Sequence, residues 1–274
     1  MAMTIVMGGN VTMANNQFDL AKIDFTTREL RGLPPAHAAY FVISCLAINE
    51  IAVIQKVLLM ALNTRTLTQP LSESALQEIA YAQTAIIERN LGSKVIEYIK
   101  MTDKHNKLCR KKGENGALRS FLDEAKTTTS RLKGEPGYEL ALWYRNKVTS
   151  HYDVAEINSL IQSGDLGSDS DAHPIYLHKL NGNSFYIIGE QVVLAKLSEY
   201  GAPPLERIRS YEDWVLSACE AVVKLHQAFC IALTKTYFPT KQARTFPIAP
   251  APHLVGGVRD VCLPILWKGE PESS

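Results

Sequence analysis

"AAYFVISCLAINEIAVIQKVLLMAL", residues 38–62, decides the fold class. It is long, apolar and free of glycine and proline. Asn49, Glu50, Gln55 and Lys56 interrupt it, which favours a buried helix over a membrane span. Pro34 and Pro35 precede it and suit a first helical turn, where a missing N–H costs nothing. The pattern predicts a helix from about Pro35 to Asn63. Its apolar residues fall on more than one face, so it is expected to lie centrally in a bundle. Glu50 then needs explaining, because a buried carboxylate is costly unless paired. Either a partner from another helix meets it, most naturally an arginine, or the helix is half-buried there and Glu50 reaches solvent.

Helical signals continue on the C-terminal side. Ser72 or Ser74 caps the next helix. Leu76, Ile79, Ala80, Gln83, Ile86 and Ile87 mark its apolar face, and Gly92 is expected to kink or divide it. "ALRSFLDEAKTTTSRL" and "YELALWYRNKVTSHY" read as further helices, and "VAEINSLIQSG" extends or follows the second. "IYLHKL-NGN-SFYII" alternates around Asn-Gly, a hairpin signal near 175–188. "EQVVLAKLSEYG" is a short helix, and a long one runs from "SYEDW" to about Phe238. The organisation read from this is an irregular segment at 1–33, a helical bundle over 34–238 with the inserted hairpin, and a Pro-rich extended tail over 239–274. The fold class is all-α, an antiparallel helical bundle.

The chain has 274 residues, 46% hydrophobic and 21% charged, with a net charge of +1. That balance provides no global field to draw it onto nucleic acid or an anionic membrane. The start lacks the basic region of a signal peptide. Cys45, Cys109, Cys219, Cys230 and Cys262 form no CxxC and read as reduced core thiols of a cytoplasmic protein. No phosphate loop, GxGxxG, HExxH or GxSxG occurs. No two histidines stand three or four apart, and Cys109 reads as outside metal-ligand spacing with any histidine, so no metal ligand and no cofactor is assigned. His173 and His178, five apart, read as loop and strand surface.

Two polar clusters remain. Lys104, Lys107, Arg110, Lys111 and Lys112 gather where a helix ends. They either complement the helix dipole or contact RNA phosphates. The second cluster is "RNKVTSHYD", residues 145–153, directly after an apolar aromatic stretch. Arg145 offers a charged fork that matches phosphate. His151 exchanges protons near neutral pH, and Asn146 can orient either one. These groups suit metal-free cleavage of RNA by the ribose 2′-OH, with histidine as general acid or base. On an ideal helix Arg145 and His151 lie about 120° apart, so the site needs a second wall. The plainer alternative is that Arg145 pairs with a bundle carboxylate such as Glu50 while His151 and Asp153 cap the helix.

"LWYRNKVTSHYD" resembles the signature of the HEPN superfamily of helical bundles. Its motif is an arginine, a polar residue, then a histidine after four to six intervening residues. Here five residues separate Arg145 from His151, a looser variant than the commonest spacing. The region 35–163 fits such a bundle, and the rest of the chain lies outside the resemblance. The resemblance implies a metal-independent endoribonuclease of the toxin or phage-defence kind. Arg145, His151 and Asn146 would be catalytic, with Glu50, Tyr152 and Asp153 supporting. It also implies a homodimer that completes the site, RNA as substrate, and an antitoxin or other partner protein. The alternative is a non-catalytic helical protein that binds a partner chain or a nucleotide.

Overall fold

The computed structural model describes residues 19–68, 75–111, 116–148, 154–163, 172–179, 183–198, 204–247 and 255–266. Among them are eight α-helices: α1 (Thr27–Gly32), α2 (Pro35–Thr68), α3 (Ala75–Arg110), α4 (Gly116–Gly134), α5 (Gly137–Trp143), α6 (Val154–Ser163), α7 (Ile187–Ser198) and α8 (Pro204–Tyr237). A π-helical turn, Tyr144–Val148, follows α5 directly. The strands are short: β1 (Asp19–Lys22), β2 (Ile175–Tyr176), β3 (Phe185–Tyr186) and β4 (Arg244–Pro247). The all-α expectation holds. The chain divides into two compact units, and α2, α3 and α8 each contribute residues to both.

The first unit comprises residues up to 48, 98–131 and 220–257. β1 and β4 pair antiparallel, Asp19 opposite Pro247. Residues 19–32, expected to be irregular, therefore hold a strand and a helix. The Thr26 hydroxyl accepts from the Glu29 amide at 3.2 Å, and the Glu29 carboxylate accepts from the Thr26 amide at 2.7 Å. This capping box starts α1. Lys241 ties the same carboxylate down at 2.9 Å. The core is aromatic. The Tyr40 ring stacks on His105 with centroids 4.0 Å apart, and Phe229 meets Tyr40 edge-on at 4.7 Å. Such ring pairs add to simple burial.

The second unit comprises residues 49–97, 132–219 and 258 onward. Two aromatic side chains of α8 organise it. Tyr211 is fully buried, and its hydroxyl donates to the Glu88 carbonyl at 2.6 Å. Trp214 donates from its indole nitrogen to the Leu132 carbonyl at 3.0 Å. Each sits on a glycine. A Cβ at Gly92 would lie 2.3 Å from the Tyr211 hydroxyl, and one at Gly137 would lie 2.3 Å from the Trp214 Cβ. Gly92 therefore admits Tyr211, and α3 runs on through it without the expected division. β2 and β3 pair antiparallel, Ile175 with Tyr186 and Tyr176 with Phe185. The hairpin exists but is shorter than read, because Ile187 and Ile188 open α7; its Asn181-Gly182 turn lies outside the described residues. Residues 258–266 are held against α2. Asn63 Nδ2 donates to the carbonyls of Val258 and Val261, both at 2.8 Å, and the Thr64 hydroxyl donates to that of Leu263 at 2.7 Å.

One expectation fails on α2. Its apolar surface is largely exposed, with Val42, Ile43, Leu46 and Val53 each more than half accessible. The run carries more apolar residues than its neighbours cover. α2 and α8 are both long and apolar enough to cross a bilayer by length and composition.

The contact between Tyr211 and Gly92 is directly testable. Gly92→Ala should destabilise the protein by about 1–3 kcal/mol, the usual cost of overpacking, seen as a lower urea midpoint. Adding Tyr211→Phe, which removes the clashing hydroxyl, should return part of that loss. Equal midpoints for wild type and Gly92→Ala would contradict the packing argument.

Candidate functional site

Arg145 sits in the π turn. Its Nε donates to Glu97 Oε1 at 2.6 Å and its Nη1 to Asn146 Oδ1 at 2.8 Å. Asn146 thus accepts a hydrogen bond from the arginine beside it. The Arg145 and Glu97 side chains are 39% and 50% exposed. An ion pair this accessible is worth little, so a phosphate could displace the carboxylate at small cost. π turns recur at functional sites. Each residue in one advances by less than an α-helical step, so the ideal-helix angle does not apply across residues 144–148. His151, Tyr152 and Asp153 lie outside the described residues.

Glu50 does not meet an arginine. Its carboxylate takes Lys94 at 2.7 Å, with both side chains about two-fifths exposed. Both readings of Glu50 were therefore partly right: it has a partner, and it reaches solvent. Lys94 and Glu97 are three apart on α3, so one stretch of that helix serves both Glu50 and Arg145.

The cationic cluster separates into two groups. Lys104, Lys107 and Lys111 are exposed, and their spacing places them along one side of the end of α3. Arg110 has a structural job instead. It donates to Asn106 Oδ1 at 2.6 Å, to Asp123 at 2.5 Å and to the Leu122 carbonyl at 3.2 Å, and so holds α4 to α3. Lys112 lies outside the described residues.

A buried charged cluster lies behind the π turn, in the same unit. Arg89 forms a two-pronged pair with Glu190 at 2.5 and 2.8 Å, and its guanidinium lies 5.8 Å from the centre of the Tyr144 ring. Arg65 pairs with Glu212 at 2.8 Å. Glu88 is 5% exposed. Burial first, and then the charge of Glu212, push its carboxyl up to about 8, against the pull of Arg65 and Arg89.

Two His/Cys groupings in the first unit escaped the sequence reading. His37 Nδ1 lies 3.0 Å from His105 Nε2, and Cys109 Sγ lies 3.3 Å from that nitrogen and 3.7 Å from His37 Nδ1. These three donor atoms lie close enough together to hold one metal ion. Burial, then the neighbouring His37, lower the His105 pKa to about 3. In the second grouping, His226 Nε2 lies 3.7 Å from Cys45 Sγ and 3.5 Å from Cys230 Sγ. Hydrogen bonds from Cys230 and then His226 bring Cys45 down to about 5, while Cys230 is pushed up by its bond to Cys45 and by burial. The expectation that Cys109 stands outside metal-ligand spacing with any histidine fails, because His105 lies one helical turn before it. The legible signal was a histidine and a cysteine four apart, His105 with Cys109 and His226 with Cys230. His173 bonds to Gln191 at 2.6 Å.

No family model, curated protein or solved structure matches the chain.

The raised Glu88 pKa makes a signed prediction. Below about pH 4.5 the carboxyl is protonated in both folded and unfolded chains. Between about 4.5 and 8 the unfolded chain ionises while the folded one keeps its proton. Stability contributed by the protonated group should therefore be full below about 4.5. It should be lost as pH rises toward about 8, at about 1.4 kcal/mol per pH unit. Glu88→Gln should flatten that slope and be the more stable protein above about pH 8. Parallel curves of urea midpoint against pH would rule this out.

Proposed function

We propose that the chain is a metal-independent endoribonuclease of the HEPN type. One observation carries the reading: an accessible Arg145 guanidinium, oriented by Asn146 and Glu97 within a π turn. In this scheme Arg145 exchanges Glu97 for the scissile phosphate and balances the charge that develops on it. His151 moves the proton between the ribose 2′-OH and the leaving 5′-oxygen. The 2′-oxygen attacks phosphorus, the bond to the 5′-oxygen breaks, and a 2′,3′-cyclic phosphate remains. Exposed Lys104, Lys107 and Lys111 of the first unit are candidate phosphate contacts in their own right. A second copy of the chain is the partner this scheme needs, and exposed Val42, Ile43 and Leu46 of α2 offer it an apolar surface.

The second reading is a non-catalytic helical protein that docks a partner chain. The same exposed residues of α2 favour it, and it requires no reaction at Arg145.

Purified protein incubated with total RNA in EDTA separates the two. The ribonuclease should leave 2′,3′-cyclic phosphate ends. Arg145→Ala and His151→Ala should each reduce the rate roughly a hundredfold or more, with folding unchanged by circular dichroism. RNA left intact by well-folded wild-type protein would favour the docking reading. Light scattering should report a dimer, and Leu46→Lys should shift it toward monomer.

A further inference from the structure

We propose that His37, His105 and Cys109 form a zinc site in the first unit, separate from Arg145. His37 stands in the first turn of α2, and His105 and Cys109 are one turn apart near the end of α3. All three are buried, at 1%, 3% and 1% exposure.

The geometry is the main argument. Zinc binds imidazole nitrogen at about 2.0–2.1 Å and thiolate sulfur at about 2.3 Å, usually with tetrahedral angles. Those lengths place two ligand nitrogens about 3.3 Å apart and a nitrogen and a sulfur about 3.6 Å apart. The three observed separations are 3.0 Å for the nitrogens and 3.3 and 3.7 Å to the sulfur. All three edges of one ligand triangle are therefore present, each within a few tenths of an ångström.

Ring stacking and mutual hydrogen bonds hold this cluster in the core, but they leave one polar atom unserved. His105 Nδ1 is buried without a hydrogen-bond partner, which costs free energy that an apolar side chain would not. The Tyr40 ring stacks on His105 at 4.0 Å and the Tyr237 ring lies 5.9 Å from His37. The ligands are thus fixed by rings rather than carried on a loop. Two imidazoles and one thiolate are a borderline-soft set that suits zinc over magnesium or calcium. Binding displaces the Cys109 thiol proton to solvent and leaves a thiolate on the metal. The consequence is a cross-link from the start of α2 to the end of α3.

The test is metal analysis of full-length protein expressed in zinc-supplemented medium. Wild type should carry zinc. Cys109→Ser and His37→Gln should each lose one equivalent per chain, with helicity checked by circular dichroism. Cys230→Ser, in the other His/Cys grouping, should lose none. Cobalt substitution of the wild type should give a thiolate-to-cobalt charge-transfer band that is missing in Cys109→Ser. This readout does not depend on refolding the variant with zinc. Wild-type protein with no zinc and no cobalt band would overturn the proposal. So would full zinc in Cys109→Ser, or loss of the metal in Cys230→Ser alone. Ribonuclease activity does not enter any of these outcomes.

Discussion

Two aromatic side chains seated on two glycines constrain the second unit. Tyr211 lies on Gly92 of α3 and Trp214 on Gly137 at the start of α5. A side chain at either glycine would push the helices apart, so the distance of approach is set by the absence of a Cβ. Each ring also carries a polar end that finds a main-chain carbonyl, of Glu88 and of Leu132. The contacts are therefore both close and directional. Tyr144, the first residue of the π turn, stands with its ring 5.0 Å from that of Tyr211. Arg145 follows at once. The position of the candidate arginine thus depends on packing several residues away from it.

The same constraint explains the charge arrangement. Excluding water around Tyr211 and Tyr144 leaves Glu88 in a poor environment for a negative charge, so it holds its proton. Arg89 tolerates that environment because Glu190 meets it with two oxygens. Arg145 and Glu97 lie farther out, where the ion pair is weak. Burial grades the unit from fixed charge inside to exchangeable charge outside.

Much of the helical framework was legible in the residues. The apolar run of α2, the period of α3 and the Asn-Gly hairpin all carry local signals. Thr26 and Glu29 spelled a capping box as well, but it lay in a segment read as irregular. Pairing of β1 with β4 was not legible, since it joins residues more than two hundred positions apart with no shared pattern. Gly92 was ambiguous for a similar reason. A glycine in a helix signals either a break or a close neighbour, and only Tyr211 decides between them. A contact between Asn146 and its neighbour Arg145 was readable from adjacency, whereas Glu97 as the arginine's ion-pair partner was not. The convergence of His37 on His105 and Cys109 required knowing that the ends of two long helices meet.

The grip on residues 258–266 has a different kind of consequence. Asn63 and Thr64 hold that segment by its carbonyl oxygens, and the Leu263 amide donates to the Met60 carbonyl at 3.1 Å. These bonds recognise the path of the main chain and ignore its side chains. Sequence drift at the exposed positions, such as Cys262 and Leu266, should therefore be tolerated, while Asn63 on the helix should not change.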